Sequence, residues 1–159
     1  MNWHNAIKAV AVSAAIFFAN TAAAGAFEKI DAQKQIDECL AVGRPDRDSG
    51  VTSQMRRGGV KTAKCLEDRI VEHLKALFKG QENKTFPDGK TKFTEEGFRE
   101  ILKQLSVSYG GLYWSLYNDH AGCKGGCGTM YHVFHLGKLM ALLEQILRDV
   151  VAQRNEFNL

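Results

Sequence analysis

Five residues close together in the sequence carry side chains that bind metal ions: His120, Cys123, Cys127, His132 and His135. Thiolate sulfur and imidazole nitrogen suit zinc or copper, and two thiolates with one or two imidazoles make a tetrahedral set. The competing fate of the thiols is oxidation. The chain has four cysteines, Cys39, Cys65, Cys123 and Cys127. In an exported protein an even number of cysteines is usually consumed in disulfides, which leaves the histidines without their best co-ligands. Disulfide formation is therefore the preferred reading, no cofactor is expected, and the Cys/His cluster is the alternative. Covalent haem attachment fails on spelling, because Gly128 follows Cys127 where a histidine is required.

Four cysteines allow three pairings. Cys39 and Cys65 fall on successive helical segments, and closing the loop of about 26 residues between them is worth roughly 3 kcal/mol. Cys123 and Cys127 flank two glycines, so that turn can close on itself. The favoured set is Cys39–Cys65 with Cys123–Cys127. Cross-pairing, which would tie the N-terminal half to the C-terminal half, is the rival.

Other chemistry finds little support. The sequence has no Gly-x-Ser-x-Gly elbow, phosphate loop or zinc-protease pair of histidines, and an enzyme is not expected. Glu67 and Asp68 stand among Lys64, Arg69 and Glu72, the pattern of a salt-bridged helix face. Arg44, Arg47, Arg56 and Arg57 are basic, but Asp46 and Asp48 dilute them, and 21 Lys and Arg against 18 Asp and Glu leave no nucleic-acid footprint. Tyr109, Tyr113, Trp114 and Tyr117 have helical spacing and read as core with polar tips.

The compartment is read from the N-terminus. Lys8 precedes an apolar run from Ala9 to Ala19, and Ala22-Ala23-Ala24 or Ala24-Gly25-Ala26 fits a small-x-small cleavage site before Phe27. An apolar helix of 11 residues rises about 16 Å, too short for a hydrocarbon core of about 30 Å. Residues 1–26 are thus expected to be a secretory signal peptide and residues 27–159 one domain, periplasmic or secreted. Cleavage removes Lys8 and lowers the formal charge from the +3 of the full chain to about +2.

Four segments have helical periodicity. Phe27, Ile30, Ile36, Cys39 and Leu40 mark the first, expected to stop before Gly43 and Pro45; residues 43–58 are expected to be an exposed loop. Ala63, Leu66, Ile70, Leu74, Leu77 and Phe78 mark the second, from about Val60, stopped at Gly80. Residues 81–92, with Pro87, Asp88 and Gly89, read as a second loop. Thr94 caps a third helix whose apolar face runs through Phe98, Ile101, Leu102, Leu105, Tyr109, Leu112, Tyr113 and Leu116, with Gly110-Gly111 marking a kink or a close helix approach. Thr129 caps a fourth, striped by Val133, Leu136, Met140, Leu143, Leu147, Val150 and Val151. The fold expected is all-α: a disulfide-stabilised antiparallel bundle of about four helices.

One stretch carries a family likeness: Trp114-x-x-Tyr117-x-Asp119, then Cys123, then Gly126-Cys127-Gly128-Thr129-Met130, then a helix bearing Gln153-Arg154. It resembles the LprI-type lysozyme-inhibitor family of small exported helical proteins, which has a Trp-x-x-Tyr-Arg-Asp stretch, a nearby Cys and a Gly-Gly-Ser/Thr turn. Cys39-Leu40 and Cys65-Leu66 fit the cysteine pair that opens the family domain. Here Asn118 replaces the usual Arg, and Cys127 lies in the turn rather than in the last helix. The resemblance implies a protein that binds another macromolecule, a lysozyme or another envelope protein. Physically, such an inhibitor presents a rigid loop to an acidic sugar-binding cleft, and the segments Arg44–Arg57 and Gln81–Lys92 are the candidates.

Overall fold

A computed structural model describes residues 28–120 and 130–159, with the backbone alone at 113–120 and 130–131. The expected signal peptide, the Cys123–Cys127 pairing and the Thr129 cap lie outside the described residues. The described residues form four helices: α1 (Ala32–Arg47), α2 (Thr52–Leu77), α3 (Glu95–His120) and α4 (Met130–Glu156). Among the described residues, none of these helices is long and apolar enough to cross a membrane.

Local signals explain the helix ends. Asp31 caps α1, its carboxylate accepting from the amides of Gln33 (2.8 Å) and Lys34 (3.1 Å), which satisfies donors that lack intrahelical partners. Thr94 caps α3 as expected, accepting from the Gly97 amide at 3.2 Å, and Glu95 and Glu96 occupy the first turn, where carboxylates meet the positive helix end.

The bundle is up-down-up-down. Cys39 faces Cys65 and Gln35 faces His73, so α1 and α2 are antiparallel. Ion pairs join Arg99 to Asp68 and Lys75 to Glu95, making α3 antiparallel to α2. Gly59 lies against Leu136 and His73 against Arg154, so α4 runs parallel to α2. Helix α2 is central and packs most extensively on α1 and α4; α3 touches α2 and α4 more sparsely. The core comprises Ile36 and Cys39 from α1, Ala63, Leu66, Ile70 and Val71 from α2, Phe98 and Leu102 from α3, and Leu139, Leu143, Leu147 and Val151 from α4, with Phe78 just beyond α2. Burying this apolar area is the main force holding the helices together. The favoured Cys39–Cys65 disulfide is present, and its formation excludes cross-pairing of these two cysteines.

The expected loop over residues 43–58 is a correction. Helix α1 continues through Gly43 and Pro45 to Arg47, α2 begins at Thr52, and only residues 48–51 turn. Gly43 and Gly58 are buried because the two helices touch backbone to backbone there. A β-carbon on Gly43 would collide with the Gly58 carbonyl oxygen and the Thr62 hydroxyl; one on Gly58 would lie 2.5 Å from the Gly43 oxygen. The glycines permit a close crossing and do not end the helices. Pro45 has no amide to give to the Ala41 carbonyl, and the helix ends within a turn of it, at Arg47.

The third helix departs from its expected stripe. Phe98 and Leu102 are buried, but Leu112 is 59% exposed. Of the two glycines, Gly110 makes the close approach, facing the His135 ring on α4, while Gly111 faces open space. The stripe on α4 holds, deepest at Leu143, Leu147 and Val151, with Leu139 added.

Candidate functional site

The segment between α2 and α3 folds into a short hairpin, closed by an antiparallel bridge between Thr85 and Lys92. The amide of Phe86 donates to the Thr91 carbonyl (2.8 Å), that of Phe93 to Lys84 (3.0 Å), and that of Gly89 to Phe86 (2.9 Å). Pro87 fits the second position of that turn, and Gly89 takes a φ of 69°, where glycine pays no steric penalty. The Asp88 carboxylate accepts from the amides of Lys90 and Thr91 (2.9 Å each) and from the Thr91 hydroxyl (2.5 Å). These bonds, led by the Thr91 hydroxyl, hold its pKa below the ordinary carboxylate value.

Four aromatic rings fasten the hairpin to the helices. Phe93 lies 4.6 Å from Phe78 and 4.7 Å from Phe86 between centroids, and Phe98 is within 5.9 Å of both Phe78 and Phe86. Such tilted and edge-on pairs add to the area they bury. Gly97 in the first turn of α3 brings the Lys92 carbonyl flush against the helix, in the space a β-carbon would take. Outward, the segment presents Lys79, Lys84, Lys90 and Lys92 against Glu82 and Asp88. The sequence pointed to this loop through its turn residues. It did not point to the ring cluster, because Phe86 and Phe93 follow no helical period.

The second candidate, the α1–α2 tip, spends its charge internally. Asp46 accepts from Arg57 (2.6 Å) and Lys61 (2.7 Å), and the Arg57 hydrogen bond leads in lowering its pKa to about 2. The Arg47 guanidinium donates to the Leu40 carbonyl (2.8 Å). Asp68 sits on a salt-bridged face as expected, pairing with Arg99 at 2.7 Å and Lys64 at 3.8 Å, whereas Glu67 is half-buried and burial raises its pKa.

A buried polar link joins three helices. His73 is 1% exposed. Arginine has no acceptor, so the Arg154 guanidinium donates to Nδ1 (2.9 Å), and Nε2–H donates to the Gln35 side-chain oxygen (2.8 Å). Burial first, then the Arg154 charge, hold the His73 pKa below its ordinary 6.5. The folded state therefore binds this proton less readily than the unfolded chain. Stability from this site is complete above the unfolded value near 6.5 and falls as pH drops through it, until His73 protonates in the folded state too. Urea unfolding at pH 7.5 and 5.0 should show wild type losing more stability on acidification than His73→Gln; equal losses would contradict the assignment. Sequence reasoning missed His73, because one histidine among charged helix residues carries no signal of burial.

Of the proposed metal ligands, the side chain of His120 and all of Cys123 and Cys127 lie outside the described residues. His132 is exposed and His135 half-buried, its pKa lowered by burial and by His132. Among the described residues no group of three or more His, Cys, Asp or Glu is placed to hold a metal. The likeness residues Trp114, Tyr117 and Asp119 fall on α3 with only their backbone described, and Gly126, Gly128 and Thr129 lie outside the described residues; Arg154 is the His73 partner. Comparison with protein-family models, curated proteins and solved structures finds no match.

Proposed function

We propose that this chain is an exported, disulfide-stabilised helical protein of the LprI-like type that binds another macromolecule through surface loops, with a lysozyme as the leading partner. The observation that carries the reading is a non-helical segment held rigid by internal bonds and ring packing while its lysines face outward. A loop ordered before binding loses less conformational freedom on association, the usual basis of a tight inhibitor. The Cys39–Cys65 disulfide agrees with an oxidising compartment, and the signal-like N-terminus with export to the periplasm or beyond. The function is recognition, without catalysis or a cofactor.

Titration of the protein lacking residues 1–26 into a cell-wall lysis assay should give a saturable loss of lysozyme rate. Undiminished lysis by several lysozyme types at micromolar protein would remove this activity and leave the fold untouched.

A further inference from the structure

We propose that His73 is a proton-operated latch: its protonation drives Arg154 away, and the last turn of α4 comes off the bundle together with the segment at Ile30, ahead of any wider unfolding.

The latch is built from three joined contacts. The Arg154 guanidinium donates through Nη1 to Nδ1 of His73 (2.9 Å) and through Nε to the main-chain oxygen of Leu159 (2.8 Å). The same turn closes on itself: the Leu159 amide donates to the Arg154 carbonyl (3.2 Å), the Asn158 amide donates to the Asn155 carbonyl (3.4 Å), and Asn158 takes a left-handed φ of 54°. This is a Schellman closure, with asparagine in the position that usually takes glycine. Asn155 exchanges two hydrogen bonds with the backbone of Ile30 (2.9 Å each). Arg154 thus connects a buried ring to the helix cap, and the turn that forms the cap also carries the clamp on Ile30.

The chemistry of the ring makes the connection conditional. A neutral imidazole has one donor and one acceptor, and both are used, Nε2–H on Gln35 and Nδ1 on Arg154. The imidazolium has two donors and no acceptor. The Gln35 side survives protonation, since Nε2 already donates there. The Arg154 side does not, because two cationic donors would face each other across 2.9 Å. Among the described residues, the charges bearing on the ring are Arg154 from α4 and Glu72 and Arg69 on α2 itself, while α1 supplies the neutral Gln35. Glu72 favours the cation, but its carboxylate is shared with Arg69 at 3.5 Å.

What holds the rest of the bundle confines the opening to this end. The Cys39–Cys65 disulfide and the Gly43–Gly58 crossing keep α1 on α2, and Leu143 and Leu147 keep the middle of α4 in the core. From Ala152 to Leu159, by contrast, every residue is exposed or half-buried, and a helix terminus of this kind opens at a smaller cost than a core.

Amide hydrogen exchange tests the latch, with rates at pH 7.5 and 5.0 each divided by those of an unstructured peptide at the same pH. The reporters are the amides of Ile30, which donates to Asn155, and Leu159, which donates to Arg154; Leu147 marks the core. In the opened state the ring regains its ordinary value near 6.5, so acidification to pH 5.0 should speed exchange at both reporters about tenfold or more. In His73→Gln, which cannot take the proton, the change should be under about twofold. Glu67, whose pKa burial raises, titrates alike in both proteins and drops out of the comparison. At pH 5.0 a low urea concentration should speed Leu147 and leave the reporters nearly unchanged, because a local opening exposes little surface. Reporters that are unprotected at pH 7.5, that keep their rates on acidification, or that accelerate equally in His73→Gln overturn the latch. Reporters that follow urea as Leu147 does open only with the whole fold, which overturns it too, and that comparison needs wild type alone.

Discussion

Gly58→Ala is expected to lower stability by about 3 kcal/mol or more, and Gly58→Val to prevent folding. The sign is informative, since exchanging glycine for alanine inside an ordinary helix stabilises by about 1 kcal/mol. Sterics win here because the new β-carbon would sit 2.5 Å from the Gly43 oxygen and 2.8 Å from both the amide nitrogen and Cγ of Arg47. Two of these three atoms are backbone, so relief requires moving a whole helix. Gly59→Ala is the control. Its β-carbon would meet only the Leu136 side chain, at 3.2 Å, which can shift, and the cost should be small or reversed. Urea unfolding of the two variants separates the outcomes, and a wild-type midpoint for Gly58→Ala would disprove the crossing.

Cys39→Ser is expected to cost roughly 2–5 kcal/mol under oxidising conditions. The disulfide closes a separation of 26 residues, and Cys39 is 0% exposed within the core formed with Ile36 and Leu66. Losing the crosslink frees the unfolded chain, and a serine hydroxyl in that place is a buried polar group needing a partner. The two contributions act in the same direction. A thermal melt checks the result, and an unchanged melting temperature would show that the bond does not stabilise the fold. Reduction of wild type should produce most of the same shift, the remainder measuring the buried hydroxyl.

Much of the fold was legible because the helices carry strong periodicity. Leu66, Ile70, Leu143 and Leu147 recur at spacings that only a helix brings to one face, and all four are fully buried. The Thr94 cap was equally readable, since its hydroxyl acts on an amide three residues away. What escaped was tertiary. Gly43 and Pro45 have the same spelling in a turn and in a close helix crossing, and the crossing depends on Gly58 across the hairpin. Leu112 continues a periodic stripe, but periodicity does not say whether a helix beyond its first turns meets a neighbour. At the candidate site, the turn residues Pro87, Asp88 and Gly89 announced a loop. Its rigidity comes from Phe78 and Phe98 on the flanking elements, which no local pattern connects to it.

The clamp on Ile30, just before α1, orders events in time. The Asn155 side chain exchanges two hydrogen bonds with the backbone of Ile30, at 2.9 Å each, across a separation of 125 residues. The Gly43–Gly58 crossing closes a far shorter stretch, and short loops form first because they lose less chain entropy. Helices α1 and α2 are therefore expected to pair early and bring Cys39 and Cys65 within reach of each other, so that oxidation seals a register already chosen. Asn155, near the C-terminus, arrives last, and a chain cut short before it would leave Ile30 unfastened with the hairpin of α1 and α2 already made.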